Sequence, residues 1–194
     1  MSKRIVIQHT KVVLLERIGT PLALGADEGL KVGLELSGLV YSTRGPHLVE
    51  LSLAGITAID CAFFEQAVYK HIYDLTVGSA IYVSGIGSPD VARSCELTAR
   101  ALGRYLIVEE DQGYRIVGLD LRAADAMQVE ALYDKGLDNS RDIAETYDMS
   151  VANASTRLKD MLQKGLVLRA EVTSATGGYE FRYFPIGHPR ERAQ

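Results

Sequence analysis

The chain has 194 residues, 47% apolar and 24% charged, with a formal net charge of −4. That is the composition of an ordinary globular protein with enough apolar material for one large core or two small ones. No apolar run approaches the roughly 20 residues of a membrane span. Residues Met1 to Ile7 carry no signal-peptide pattern, so the expectation is a cytoplasmic protein without membrane contact. Cys61 and Cys95 form no spaced pair, and with four scattered histidines they make no metal-ligand pattern.

In chain order, residues 4 to 18 are rich in β-branched side chains and read as one or two strands. Gly19-Thr20-Pro21 turns the chain and 22 to 25 is a connector. Asp27 can cap a helix to about Tyr41, with Leu30, Leu34 and Leu39 near one side and Gly29 and Gly33 spaced for close packing onto a sheet. A strand from His47 to Leu53 ends at Gly55. Ile56 to Asp60 leads into a helix from Cys61 to Leu75 with Phe64, Val68, Ile72 and Leu75 at helical spacing. Ser79 to Ser84 is a strand. Ser88-Pro89-Asp90 starts a helix to about Leu102, stopped by Gly103. Tyr105–Glu109 and Tyr114–Val117 flank a short turn at Asp111 to Gly113, the mark of a hairpin. A helix near 122 to 134 follows, and a domain joint is expected near Gly118 to Asp120.

From Ser140 the order is helix, turn, helix, two-stranded wing. Ser140 can cap the first helix, which presents Ile143, Ala144 and Tyr147 on one face. Asp148 ends it, because Asp tolerates the left-handed backbone of a tight corner. Ser150 caps the second helix, in which Val151, Ala154, Leu158, Met161 and Leu162 repeat at three and four and face the core. Ala152, Asn153, Thr156, Arg157 and Asp160 are left outside, a small, polar and basic surface suited to a major groove. After Gly165 comes a strand, a tight turn at Thr176-Gly177-Gly178, and the strand Tyr179 to Pro185. Arg182 there alternates with Phe181 and Tyr183, so that it and the turn amides can reach phosphate or the minor groove. From Met149 onward seven basic residues face four acidic ones, an excess of three, so residues 1 to 148 hold a net −7. The positive charge lies on the segment assigned to nucleic acid.

Ser150, Arg157-Leu158-Lys159, Met161-Leu162 and Lys164-Gly165-Leu166-Val167 followed by Arg169 resemble the recognition helix and first wing strand of bacterial winged-helix regulators of the multiple-antibiotic-resistance and arsenic-repressor type. The likeness covers roughly 120 to 187. It implies duplex-DNA contact through Ser150, Ala152, Asn153, Thr156, Arg157, Lys159, Thr176, Gly177 and Arg182. In the first 118 residues, the strand Leu48 to Leu53, then Gly55-Ile56, then Ile59-Asp60 opening a helix, is similar to the STAS-like group, named for sulphate transporters and anti-sigma-factor antagonists. The fold expected from these resemblances is a STAS-like α/β sandwich with a mixed sheet over residues 1–118 and an α+β winged helix over 119–194.

One departure bears on mechanism. Where antagonists that work by phosphorylation carry a serine, this chain has Cys61 followed by Ala62, so no phospho-switch is carried over. Cys61 itself is read as a small buried residue at a corner rather than a redox sensor. Gly85-Ile86-Gly87-Ser88 lacks the lysine of a phosphate loop and the spacing of a dinucleotide fingerprint, and is read as a turn. Asp60 has no histidine or second carboxylate placed to work with it. With no nucleophile–base pair, the chain is read as a non-enzyme without cofactor or metal. Two functions stand: a homodimeric DNA-binding transcriptional regulator whose first 118 residues pair or sense a partner, and an anti-sigma-type adaptor in which the winged helix is only a docking module. The modest positive charge calls for two copies on DNA, with the pairing surface before residue 134, and the winged half is expected to fold by itself.

Overall fold

A computed structural model describes residues 5–41, 45–70, 78–111, 113–173 and 177–187. The protein is a mixed α/β structure with strands β1 (Gln8–Val13), β2 (Leu22–Ala23), β3 (His47–Ser52), β4 (Ala58–Ile59), β5 (Ser79–Ser84), β6 (Tyr105–Glu110), β7 (Gly113–Gly118), β8 (Val167–Thr173) and β9 (Tyr179–Pro185). The helices are α1 (Leu14–Ile18), α2 (Ala26–Tyr41), α3 (Cys61–Phe64, continued by a π turn Glu65–Tyr69), α4 (Pro89–Ala101), α5 (Ala123–Val129, continued by a π turn Glu130–Asp134), α6 (Ser140–Thr146) and α7 (Val151–Gln163). The main sheet runs β1-β3-β5-β6-β7, with the first four strands parallel and β7 antiparallel.

That order has a strong consequence. The chain steps through the parallel strands in one direction, and a crossover between parallel neighbours is right-handed. Successive crossovers therefore put α2, α3 and α4 on the same side. There Val32, Leu36, Val40, Phe63, Phe64, Val68, Val91 and Cys95 pack on the strand residues that alternate toward them: Val49, Leu51, Ile81, Val83, Leu106 and Val108. The intervening strand residues, Leu48, Ala80, Tyr82, Tyr105 and Ile107, point the other way and join one core with Leu132, Ile143, Leu158, Leu168, Tyr183 and Ile186. The helix–helix–hairpin half of the chain thus covers the face that the crossovers leave bare, and β8 lies against β5. The Tyr114 and Tyr133 rings meet across this seam with centroids 4.2 Å apart. The Tyr133 hydroxyl donates to the Leu166 carbonyl at 2.8 Å and accepts from the Ile186 amide at 2.9 Å, tying the π turn after α5 to the residues that flank β8 and β9 at the open end of the hairpin.

Gly118, at the expected joint, is no loose hinge. It has φ +100°, and a Cβ there would lie 2.3 Å from the Arg104 carbonyl oxygen and 2.9 Å from Ala99 Cβ. Arg100 Nε donates to its carbonyl at 3.1 Å.

Several local expectations are corrected. The first apolar segment is one strand followed by the short helix α1, because Leu14 turns inward and Gly19 ends the helix in a left-handed conformation. The residues read as a connector include β2, which pairs in parallel with β4. Helix α2 buries Gly29, Val32, Gly33, Leu36, Ser37 and Val40, whereas Leu30 and Leu34 face outward. Gly29 allows close packing on a helix rather than on the sheet, since a Cβ would fall 2.3 Å from the Phe63 carbonyl oxygen. Cys61 is exposed, not buried, while Cys95 is buried and its thiol is pushed up to about 12 by desolvation and by Cys61 nearby. Asp60 is structural: one carboxylate oxygen accepts from Phe63 N at 2.7 Å as the cap of α3, and the other from Gly25 N at 2.9 Å. The expected helical positions Ile72 and Leu75 lie outside the described residues. No helix is long and apolar enough to cross a membrane among the described residues.

On the second sheet face the strand register lines up Lys11, Glu50 and Tyr82. Glu50 is only 3% exposed. It accepts from Lys11 Nζ and Ser84 Oγ, each at 2.6 Å, and from Tyr82 Oη at 3.2 Å. Burial alone would raise its pKa, but the Lys11 ammonium and the two hydroxyls outweigh burial and hold it below the ordinary 4.5. A depressed carboxyl contributes stability above its unfolded pKa and loses it as pH falls through the folded one. Glu50→Ala should therefore cost roughly 2–4 kcal/mol at neutral pH, with the difference from wild type shrinking in denaturant titrations below pH 4.5. Because the second core is shared, residues 119–194 expressed alone should bind a hydrophobic dye and melt without cooperativity. A sharp, reversible melt of that fragment would restore the expectation that it folds by itself.

Candidate nucleic-acid interface

The segment singled out by sequence forms two helices joined by a four-residue corner and followed by the β8–β9 hairpin. The corner residue Asp148 has φ +47° and is the one non-glycine residue with positive φ among the described residues, as its side-chain chemistry led us to expect. The first helix is capped by Asn139, not Ser140: the Asn139 Oδ1 accepts from the amides of Arg141 and Asp142, each at 3.0 Å. Ile143 and Ala144 are buried against α7 as expected. On α7 itself Ala154, Leu158 and Met161 form the inner face, but Val151 is 50% exposed, because the first turn projects beyond the core.

Ser150 caps α7, its Oγ accepting from Asn153 N at 3.2 Å. Asn153 is exposed, and its Oδ1 accepts from Arg157 Nε at 2.9 Å. This pair holds the Arg157 guanidinium along one flank with its terminal nitrogens uncommitted to any described residue. Ala152 and Thr156 are exposed in the middle of the outer face, and the Thr156 hydroxyl donates back to the Ala152 carbonyl at 2.9 Å. Lys159 is exposed too. At 3.6 residues per turn, two positions from Arg157 place it about 160° around the helix, so the two cations border opposite edges of the face rather than one cluster. Gly177 is exposed at the hairpin tip, and Thr176 lies outside the described residues.

Arg182 is not held open toward solvent. Its guanidinium reaches Asp138 at 2.6 Å and Glu180 at 2.6 Å, while the Asp138 carbonyl accepts from Tyr183 N at 2.7 Å. This clamp fastens β9 to the segment before α6. The alternation expected along β9 is present, but toward the tip it exposes the aromatic side: Tyr179 is 77% and Phe181 41% exposed, with the Arg169 guanidinium 4.1 Å from the Phe181 centroid.

A second charged group was not legible at all. Asp125 is 4% exposed and bridges Arg122 and Lys164, each at 2.9 Å, and both cations also reach Asp160, at 2.9 and 2.6 Å. Burial pushes the Asp125 carboxyl up, but the hydrogen bonds and charges of Arg122 and Lys164 prevail and its pKa is lowered. The network locks α5 onto the C-terminal end of α7. It also consumes Lys164, which from sequence counted toward the basic surface. Over residues 140 to 163 three cations, Arg141, Arg157 and Lys159, face four acids, Asp142, Glu145, Asp148 and Asp160, so this stretch is not itself basic.

Elsewhere, a cavity of about 380 Å³ opens at the carboxyl ends of β5 and β6, lined by Gly85 to Pro89, Glu109 to Asp111 and Arg115. Strand ends of a parallel sheet are where such folds place ligands, but the three acids Glu109, Glu110 and Asp111 there disfavour a phosphate. Among the described residues there is no group of three or more His, Cys, Asp or Glu side chains placed to hold a metal.

Compared with protein-family models, with curated proteins and with solved structures, the chain gives no match.

The two roles of arginine on this face separate experimentally. Arg182→Ala should lower unfolding stability by about 1–2 kcal/mol, since it removes the guanidinium that joins Asp138 to Glu180. It should leave the salt dependence of any nucleic-acid binding unchanged. A salt slope reduced by about one, with an unaltered melting curve, would return Arg182 to phosphate contact.

Proposed function

We propose that the chain is a DNA-binding transcriptional regulator, not an enzyme, in which α6, α7 and the β8–β9 hairpin act as a winged helix on duplex DNA and the first 118 residues, as a STAS-like unit, mediate pairing or sense a partner. The observation that carries this reading is the corner. A left-handed Asp148, a side-chain cap at Ser150 and a small polar outer face on α7 occur together. That combination supports a second helix presented N-terminus first to a groove. The Asn153–Arg157 hydrogen bond pre-orders an arginine fork of the kind that reads guanine.

The charge inventory shapes the expected behaviour. Arg122, Lys164 and Arg182 are paired with carboxylates of the same chain, so few cations remain for phosphates. Non-specific affinity is then low, the salt slope shallow, and tight binding requires two copies on one site. The exposed Tyr179 and Phe181 are the observation that favours the second reading, an anti-sigma-type adaptor whose hairpin docks on protein, because solvent-facing aromatics mark interfaces.

The deciding experiment is a salt-dependent gel shift with DNA from upstream of the protein's own coding sequence. Arg157→Ala should cost roughly 1–3 kcal/mol on a specific site and leave the melting temperature in place. Lys159→Ala should weaken all sequences alike. Absence of a shift in low salt, with a folded protein, would favour the adaptor.

A further inference from the structure

Helix α2 carries an apolar stripe on the side opposed to its packed face. Leu30, Leu34 and Tyr41 are 38%, 55% and 68% exposed, and Leu22 and Leu24 lead into it at 47% and 46%. Single exposed apolar residues need no explanation, but five of the eleven large exposed hydrophobics among the described residues fall within these 20 residues. Gly38 lies on the same stripe, exposed, with no atom within 4 Å of where a Cβ would be. Glycine in mid-helix weakens the helix. At Gly29 the close Phe63 backbone explains it, whereas at Gly38 nothing among the described residues does.

We infer that this stripe is the surface on which two copies of the chain pair, α2 against α2 in antiparallel orientation about a two-fold axis at Leu34. The argument is the symmetry of the stripe. In an isologous contact, if residue i meets j then j meets i. With Leu34 on the axis, positions four away on either side are Leu30 and Gly38, large against small. Positions seven away are Asp27 and Tyr41, an acceptor against a donor, and neither side chain has a hydrogen-bond partner in the described residues. Leu34 meets its own copy. Gly38 then has a purpose: it lets the partner's Leu30 approach the helix backbone. Exposed apolar residues gathered along one helix face in this way mark an interaction surface. This inference rests on the pairing part of the proposed function and supplies the surface for it.

The test is sedimentation of full-length protein, extended to about 50 μM because dimer stability depends on protomer concentration. Wild type should be a dimer. Leu34→Glu should weaken pairing at least tenfold, about 1.4 kcal/mol. Gly38→Leu should weaken it similarly while raising the melting temperature of the monomer, which shows that the loss is not misfolding. Leu97→Glu, on α4 and half-exposed, is the control that should leave the dimer intact. In a Cys61→Ser background, Leu34→Cys should form an intermolecular disulfide under mild oxidation and Glu35→Cys should not. A wild-type monomer at that concentration, or a dimer untouched by Leu34→Glu and Gly38→Leu, overturns the inference. Gel shifts with the same proteins separate it from the DNA reading: a dimer broken by Leu34→Glu whose wild type binds no DNA keeps the pairing face and removes the DNA-binding role.

Discussion

The structure depends on one topological constraint. Parallel strands taken in spatial order, with right-handed crossovers, leave one sheet face without helices. A parallel sheet is stable only when both faces are covered. Here the cover comes from the C-terminal half, through Leu132, Leu158, Leu168 and Tyr183 against Leu48, Tyr105 and Ile107. The hydrophobic term therefore acts across the expected joint and not only within each half. Tyr133 and Gly118 reinforce this, the first by bonding the chain on both sides of the hairpin's open end, the second by fitting against the Arg104 backbone without room for a side chain.

Coverage of that face is uneven, and the polar remainder is ordered by charge. Where the apolar cover is incomplete, the strands carry Lys11, Glu50, Tyr82 and Ser84 in a bonded group. A buried carboxylate is tolerated there because three donors converge on it. The same principle operates at the C-terminal end of α7, where Asp125 and Asp160 gather Arg122 and Lys164, and at the hairpin, where Asp138 and Glu180 hold Arg182. Each of these ties orients the elements that border the outer face of α7. On the proposed reading, positioning of the recognition helix is what those cations do, and contact with nucleic acid falls to the few that are left.

Much of this was legible in the sequence, wherever short-range chemistry decides. The Asp148 corner, the Ser150 cap, the Pro89 helix start, the β6–β7 hairpin and the inner face of α7 follow from residue type and spacing, because caps, turns and amphipathic periods involve neighbours within a few positions. What lies between distant residues was not. Ion-pair partners such as Asp125 with Lys164, or Arg182 with Asp138, are 39 and 44 positions apart, and a cation's sequence context does not tell whether it meets water, phosphate or a carboxylate. The choice of buried side on α2 was likewise tertiary: leucines occur around much of the helix, and the small residues Gly29, Gly33 and Ser37, not Leu30 and Leu34, turned inward, with Gly29 placed where the Phe63 backbone of α3 leaves no room for a side chain. Caps, turns and helical periods were thus properties of the sequence by itself. Which face each element buries, and that the two halves share one core, depended on strand order and the handedness of crossovers, which act only once the sheet has formed.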